Sequence, residues 1–534
     1  MSDTPVQTVE TMETPAIVEQ PIVIHGPITG IKEPDAPSSV VIAPATVTVA
    51  DTAPATLVAT RTNSAPDATT SVVIERAMGL DAFRGFLLLA MNFAFTIPEW
   101  GPFPRWMYHT QNPPPGDYVN IAGLTWRDMT FPGFLFTMAA ALPVVMGARL
   151  AKGMPYPEIL WIALRRAALL MIFALVIGHV NPFWTHDETS RGNVVAITGL
   201  LVCFAYFLRP PRTWNPTFVT WFRRAATVAV AAVLFALPLM YGQHFSIERN
   251  DDIIWSIAFC TVAGTVIWLA TRFHPKARIA LLAAVIVARV ATQYVGPIGD
   301  LWNYTPAPWL YQPWYLELLV IVIPGTIAGD LLARWMRRGA DSLEAWSTQR
   351  LLGIVATALA TIPVLLVGLY HRQNTAFARI GVTLLAGALV AQVQRPRTER
   401  DRVIARLCVW AAVWLTIGAI VEPYEGGIRK DPQTLGYLTL MAGVAYAGFT
   451  AMLIVVDALR AGKRVLKPLA EIGQNPLFAY VVYFLGIEHV LWLTGLGETA
   501  TKTWPVATVR AFVLTAIVGG LVWLTTRAKL LWRT

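Results

Sequence analysis

Charged side chains are scarce in this sequence. Only 14% of its 534 residues are Asp, Glu, Lys or Arg, whereas 55% are hydrophobic, and the mean hydropathy is +0.51. A soluble domain carries about 25% charged residues, so this composition excludes a soluble globular protein. The net charge of +9 does not indicate a nucleic-acid partner, because the basic residues lie in short clusters between apolar runs. The composition therefore predicts an integral membrane protein.

Cysteine is also scarce, and the N-terminal residues do not have the pattern of a leader sequence. Cys203, Cys260 and Cys408 all lie inside apolar runs, which favours small buried hydrophobes over a disulfide framework or a metal set. No pair of histidines has the spacing of metal ligands, so no metal site is predicted. The opening MSDTPVQTVETMETP has neither a basic n-region nor an apolar h-region, and a cleavable signal peptide is therefore not expected.

Two regions of different composition make up the chain. Residues 1–72 are rich in Pro, Thr, Val and Ala and have almost no aromatic residues, which predicts a disordered cytoplasmic tail. In residues 73–534, apolar segments of about 15–22 residues recur, close to the length that a helix needs to cross a bilayer. The predicted fold is an all-α polytopic membrane protein, a bundle of about 11–14 transmembrane helices. The segments are 79–97, 129–148, 159–179, 193–208, 225–241, 253–271, 279–295, 315–333, 351–370, 380–393, 403–421, 434–457, 473–495 and 505–526.

Basic residues alternate between the loops that join these segments. Every second loop holds a cluster, such as Arg149, Lys152, Arg165 and Arg166, while the loops between them are poor in Lys and Arg. The positive-inside rule then predicts that both termini are cytoplasmic. His109, in the loop RWMYHTQNPPP, faces the extracytoplasmic side on this topology. We expect the membrane to be a bacterial inner (plasma) membrane.

A charged pair lies at the start of the first segment, in GLDAFRG. Asp81 and Arg84 are three residues apart and share one face of a helix at the cytoplasmic mouth. One interpretation is a packing salt bridge or an interfacial anchor. The other is a cationic entrance for a phosphorylated donor, which Arg84 would form together with Arg149, Lys152, Arg165 and Arg166.

A second polar unit precedes the second segment, in GLTWRDMTFPGFLF. Asp128 lies at the outer start of the predicted helix, where a carboxylate suits the positive end of the helix dipole. It is either a plain cap or a support for His109, which lies 19 residues earlier. If the loop folds back, the carboxylate can orient the imidazole, the usual support for a general base.

Several of these motifs together resemble a known family. The chain resembles the transmembrane acyltransferases typified by heparan-α-glucosaminide N-acetyltransferase and its bacterial relatives. The motifs that carry the resemblance occur in the order typical of that family: LDAFRG, an outer-loop His, GLT…D…FPGFLF, IPGTIAGDLL, EGGIRKDPQTLGYL and GQNPLFAYVVY. The resemblance runs from about Arg76 to Leu491. The inserted QNPPPGDYVNIA after His109 departs from the family pattern.

The resemblance implies an activity and a set of site residues. Residues 73–534 would form a transmembrane acyltransferase domain that takes acetyl-CoA from the cytoplasm and passes the acetyl group to a sugar amine or hydroxyl outside. It implies His109 as the catalytic residue with Asp128 beside it. Asp81 and Arg84 fall in the first-helix motif of the family, and Asn475 falls in a later motif that implies a role in the donor channel. Together with Arg165 and Arg166 of the cationic entrance, they form the expected donor site. The expected partners are a sugar or glycan acceptor and membrane lipids, with no nucleic acid; a homodimer is left open.

A secondary transporter or flippase for a sugar or lipid-linked sugar is the alternative. Intramembrane charges at Arg289, Glu317, Asp330 and Asp457 suit such a protein, but the halves of the chain show no obvious repeat. The outer loop EPYEGGIRKDP is interpreted as either a sugar-binding segment or a solvated turn. The aromatic stretch DLWNYTPAPWLYQPWY is interpreted as either a sugar-stacking surface or an interfacial belt.

Overall fold

The computed structural model describes residues 77–97, 103–113, 118–211, 213–337, 345–460, 463–497 and 503–532. The predicted tail, residues 1–72, lies outside the described residues. Within the described ranges the chain forms α-helices with short 3₁₀ and π segments, and no β-strand. The protein is therefore an all-α polytopic membrane protein, as the composition predicts.

Nineteen helices are labelled in chain order. Most coincide with apolar runs, because a helix satisfies its own backbone hydrogen bonds and is the structure that hydrocarbon tolerates. The helices are α1 (Gly79–Phe95), α2 (Thr130–Ala151), α3 (Tyr156–Val180), α4 (Pro182–Thr185), α5 (Ser190–Phe207), α6 (Pro216–Ala231), α7 (Asp252–Thr271), α8 (Pro275–Ala291), α9 (Gly296–Asn303), α10 (Trp314–Glu317), α11 (Leu319–Met336), α12 (Thr348–Leu369), α13 (Thr375–Gln392), α14 (Glu399–Val421), α15 (Leu435–Leu453), α16 (Lys463–Ile472), α17 (Pro476–Val481), α18 (Glu488–Leu493) and α19 (Trp504–Arg527).

The number of full spans is smaller than the fourteen apolar segments. Eleven helices of the described chain are long and apolar enough to cross a membrane, or twelve if α8 and α9, which meet at 110°, form one bent span. Two other predicted segments also differ from a full span. The helix α1 has only 17 residues, and the segment 473–495 is interrupted by a π-helical turn at Tyr483–Ile487. Hydropathy alone does not locate such breaks.

The centre of the bundle is formed by α15 and the span that contains α11. In their most apolar windows 83% and 78% of the residues are buried, against 22% for α13 at the periphery. Gly325 and Gly329 let α11 cross α2 closely, since a Cβ at Gly325 would lie 2.7 Å from that of Ala139. Small residues four apart allow two helices to approach closely in this way.

The bundle has two ends of different chemistry. The basic face, where α2 ends and α3 begins, carries Arg149 and Lys152. The histidine face, where α1 ends and α2 begins, carries His109 and the loop that joins α14 to α15. Which of the two faces lies in the cytoplasm stays a prediction of the charge pattern.

Candidate active site

His109 lies in a tightly turned loop on the histidine face. A 3₁₀ turn at Arg105–Met107 leads into the buried Tyr108, and the amide of Asn112 donates to the carbonyl oxygen of His109 (3.2 Å). Gln111, which is also buried, donates from its side chain to the carbonyl of Ile121 (2.8 Å). These bonds hold the backbone on both sides of His109, so the position of the imidazole is set by the loop itself.

Asp128 holds this loop against the start of α2. One carboxylate oxygen, Oδ1, lies 2.6 Å from Nδ1 of His109, and the other, Oδ2, accepts from the hydroxyl of Thr110 (3.2 Å). Oδ2 also accepts from the amide and hydroxyl of Thr125 (3.0 and 2.9 Å), which forms a capping box. Asp128 is therefore both a cap and the partner of His109, and the two interpretations of the sequence apply to the same side chain.

The contact with Asp128 also sets the tautomer of His109. A carboxylate only accepts hydrogen bonds, so we assign the proton of the neutral ring to Nδ1, which leaves Nε2 as the acceptor. Burial of the ring and the positive charges of Lys430 and Arg127 lower the pKa of His109 to about 4, against the opposing effect of Asp128. A ring with this pKa is neutral at pH 7. Because 27% of the side chain is exposed, the ring is also accessible and able to take up a proton.

A second loop, residues 424–434, interlocks with the histidine loop. The amide of Gly123 donates to the carbonyl of Ile428 (2.7 Å), Arg429 donates to the side chain of Asn120 (2.9 Å), and the Tyr118 hydroxyl donates to the Asp431 carbonyl (2.9 Å). This loop is thus not simply a solvated turn. It brings the Lys430 ammonium, itself 3.2 Å from the Asp431 carboxylate, close enough to influence His109.

His109 lines a cavity of about 510 Å³ on the histidine face. A volume of this size is typical of small-molecule sites. The lining combines a few convergent charged groups with apolar and aromatic side chains. It consists of Met91, Ala94, Phe95, His109, Arg127, Thr130, Phe131, Asp252, Ile253, Arg289, Trp314, Glu317, Lys430, Asp431, Pro432 and Gln433.

An ion cluster reinforces the cavity wall that α8 and α10 form. Arg289 lies 2.8 Å from Glu317 and 2.8 Å from Glu425, and Glu425 accepts further bonds from the side chain of Gln293 and the amide of Leu435 (both 2.7 Å). Arg289 and Glu317, two of the charges that suited a transporter, are therefore paired with each other at the edge of the cavity.

At the basic face, Arg84 ties three parts of the chain together. Its guanidinium lies 3.3 Å from the Asp81 carboxylate and donates to the carbonyls of Gly473 (3.3 Å) and Thr137 (3.4 Å). The predicted Asp81–Arg84 pair is thus formed. The contacts with α2 and with the loop after α16 show that it also has a packing role.

Arg166 lies close enough to Arg84 and Arg149 to be influenced by their charges, and these three residues are here called the arginine cluster. Nη1 of Arg149 and Nε of Arg166 are buried and have no hydrogen-bond partner among the described residues. Arg165 is exposed on another face of α3, because adjacent residues of a helix point in different directions. The structure therefore does not bring Arg165 into the cluster, contrary to the expectation from sequence.

Asn475 binds the C-terminal segment of the protein through its side chain, which is fully buried. Its Nδ2 donates to the carbonyl of Leu530 (3.2 Å), and its Oδ1 accepts from the backbone amide of Trp532 (3.0 Å). The side chain of Trp532 packs among aromatic rings that include Phe207 and Phe478. Asn475 thus anchors the segment after α19, and its contacts give no reason to retain it as a donor ligand.

Known proteins resemble this chain over most of the membrane region. A family described as a domain of unknown function (DUF5009) matches residues 76–332. The human protein heparan-alpha-glucosaminide N-acetyltransferase is 24% identical over 416 residues, which make up 77% of this chain and 53% of the human protein. The chain therefore spans about half the length of that relative.

The structure adds cavity residues that were not selected from the sequence. Asp252 and Trp314 are the first residues of α7 and α10 and lie far apart in sequence, and the packing of these helices places both in the wall of the cavity. Trp314 was one aromatic among several in its stretch, whereas Trp309 in the same stretch is exposed. The i, i+3 spacing of Trp314 and Glu317 was the available signal, since it places both on one helix face.

Proposed function

We propose that this protein is a membrane-embedded acetyltransferase that moves the acetyl group of cytoplasmic acetyl-CoA to a sugar amine or hydroxyl on the extracytoplasmic side. The observation that carries the proposal is the 2.6 Å contact of His109 with Asp128 in the wall of a cavity. The similarity to an N-acetyltransferase supports the reaction class, and the acceptor and the roles of individual residues are our inference.

The donor is assigned to the basic face. The phosphate groups of CoA are too costly to bury in hydrocarbon, so they require a polar site with cations at the membrane edge. The buried, unsatisfied nitrogens of Arg149 and Arg166 are suitable donors, because guanidinium groups bind phosphate oxygens well. From there the long and narrow pantetheine arm extends through the bundle towards His109.

In the proposed reaction the acetyl group passes directly from CoA to the acceptor, with one base and no acetyl-enzyme intermediate. The acceptor nitrogen or oxygen attacks the thioester carbonyl while Nε2 of His109 takes the proton from it. Asp128, on Nδ1, stabilises the imidazolium that forms. The C–S bond then breaks, CoA leaves as the thiolate, and the imidazolium returns the proton so that CoA is released as the thiol.

The test compares the wild type with His109→Ala in nanodiscs that contain acetyl-CoA labelled in the acetyl group. With a panel of amino sugars and neutral sugars present, we expect label on a sugar with the wild type and a loss of at least 100-fold with the variant. His186→Ala changes an exposed histidine of another loop and serves as the control. A wild type that neither binds acetyl-CoA nor transfers the acetyl group would contradict the proposal and favour sugar transport.

A further inference from the structure

Two adjacent aspartates at the start of α7 have different surroundings. Asp251 is fully engaged, because one oxygen accepts from the amide of Ile254 (2.9 Å) and the other from the hydroxyl of Tyr480 (2.9 Å). Asp252 lines the cavity, and its carboxylate has no hydrogen bond or ion pair to any of the described residues. Such an unpaired charge at a partly dry cavity wall is available to a ligand.

Trp314 lies on the same cavity in a fixed orientation. Its indole nitrogen donates to the side chain of Gln312 (2.8 Å), and its ring packs edge-on against Tyr315 at 4.5 Å between centroids. A ring held in this way loses little conformational freedom when a ligand binds. One turn further, Glu317 reaches the cavity from the same helix face, held by Arg289 at 2.8 Å.

We propose that Asp252 and Trp314 form the acceptor subsite and bind a sugar ring that carries no anionic group at this position. The inference rests on the proposed transfer reaction and assigns the residues that select its acceptor. The apolar C–H face of the sugar would cover the indole ring, and its hydroxyl groups would donate to Asp252. Glu317 makes the same wall unfavourable for a carboxylate on the sugar.

The charges of the cavity wall support this selectivity. Arg289 is already paired with both Glu317 and Glu425, and Lys430 is paired with Asp431. On the wall formed by α7, α8 and α10, Asp252 is thus the described charge that remains to be satisfied. A donor-rich ligand such as a polyol satisfies it, whereas an anionic ligand is repelled.

The experiment measures sugar binding separately from transfer. Full-length protein in nanodiscs is titrated with glucose, glucosamine and glucuronate, and binding is followed by saturation-transfer NMR. We expect Asp252→Asn to weaken the binding of glucose about tenfold and Trp314→Leu to weaken it roughly five- to tenfold, with Trp314→Phe close to the wild type. Glucuronate should bind more weakly than glucose, and the difference should narrow in Asp252→Asn.

Matched controls separate the subsite from a general loss of structure. Asp300→Asn and Trp309→Leu change exposed residues of the same face, and both should bind glucose as the wild type does. Unchanged glucose affinity in Asp252→Asn and Trp314→Leu, or no sugar binding by the wild type, would overturn the assignment. Sugar binding that depends on these two residues without any acetyl transfer would instead overturn the proposed reaction and leave the subsite standing.

Discussion

Lys430 is expected to determine the acid limit of the proposed reaction. Burial of the ring is the largest cause that lowers the pKa of His109 to about 4, and the ammonium group of Lys430 is the second. A base works only while it is unprotonated, so activity should rise with pH through about 4 and be constant near neutrality. An unperturbed histidine would place this limit near pH 6.5.

Lys430→Met removes the nearby positive charge while keeping much of the side-chain length. Protonation of His109 then becomes easier, and the acid limb of the pH profile should move upward by about one unit, equivalent to about 1.4 kcal/mol. Lys430→Arg retains the charge and should keep the limb of the wild type. Lys276→Met, at an exposed position of the other face, is the matched control.

The assay is kcat/KM for the sugar acceptor, measured from pH 3.5 to 8 at constant ionic strength in nanodiscs. A wild-type limb near pH 6.5 would show that burial and Lys430 do not depress the base as the structure indicates. A Lys430→Met limb that coincides with that of the wild type would refute the electrostatic role of this residue. A change in rate without a change in the limb would indicate a contact with the acceptor.

Three further predictions concern the pair of His109 and Asp128, the donor site and the packing of helices. Asp128→Asn should reduce kcat roughly 100- to 10,000-fold, because an amide neither fixes the tautomer of His109 nor stabilises its imidazolium form. The rate of single-turnover acetyl transfer measures this effect. A loss below tenfold would contradict the proposed role of Asp128 as the partner of His109. Arg149→Gln and Arg166→Gln should each raise the Kd for acetyl-CoA about tenfold or more, whereas Arg165→Gln should leave it unchanged. Equilibrium binding of labelled acetyl-CoA measures the Kd. Equal effects of all three substitutions would contradict the assignment of the donor to the arginine cluster. Gly329→Leu should destabilise the bundle by about 1–3 kcal/mol or more, since α2 lies against this position and overpacking is unfavourable. A thermal melt measures the loss of stability. The control is Gly387→Leu, because a Cβ at Gly387 has open space.

Much of the fold could be predicted from the sequence because hydropathy is a local property. Each apolar segment coincides with at least part of a helix, since a chain in hydrocarbon must satisfy its backbone groups internally. The breaks in α8–α9 and α17–α18 could not be predicted in this way. The first break lies just before Gly296 and Pro297, and the second is a π-helical turn inside an apolar run. Hydropathy measures the polarity of a segment and not the hydrogen-bond pattern of its backbone, so it registers neither.

The same division applies to the candidate site. His109, Asp128 and Arg84 could be selected from their motifs, and their contacts are consistent with that selection. Arg165 and Asn475 could not be judged, because a motif does not say which face of a helix meets the bundle or which amide groups the protein uses itself. Here the packing decided, through the exposure of Arg165 and the bonds of Asn475 to the C-terminal segment.

The sequence by itself determined that the chain is a helical membrane protein with a basic face and a histidine face, because segment length and charge placement act residue by residue. Only the tertiary structure decided that His109 contacts Asp128, which lies 19 residues away in the sequence. It also decided that the charge of Lys430, from a much more distant part of the chain, influences His109. It also decided that Asp252 and Trp314 share one cavity. These juxtapositions arise from the packing of whole helices against one another, which no local pattern in the sequence encodes.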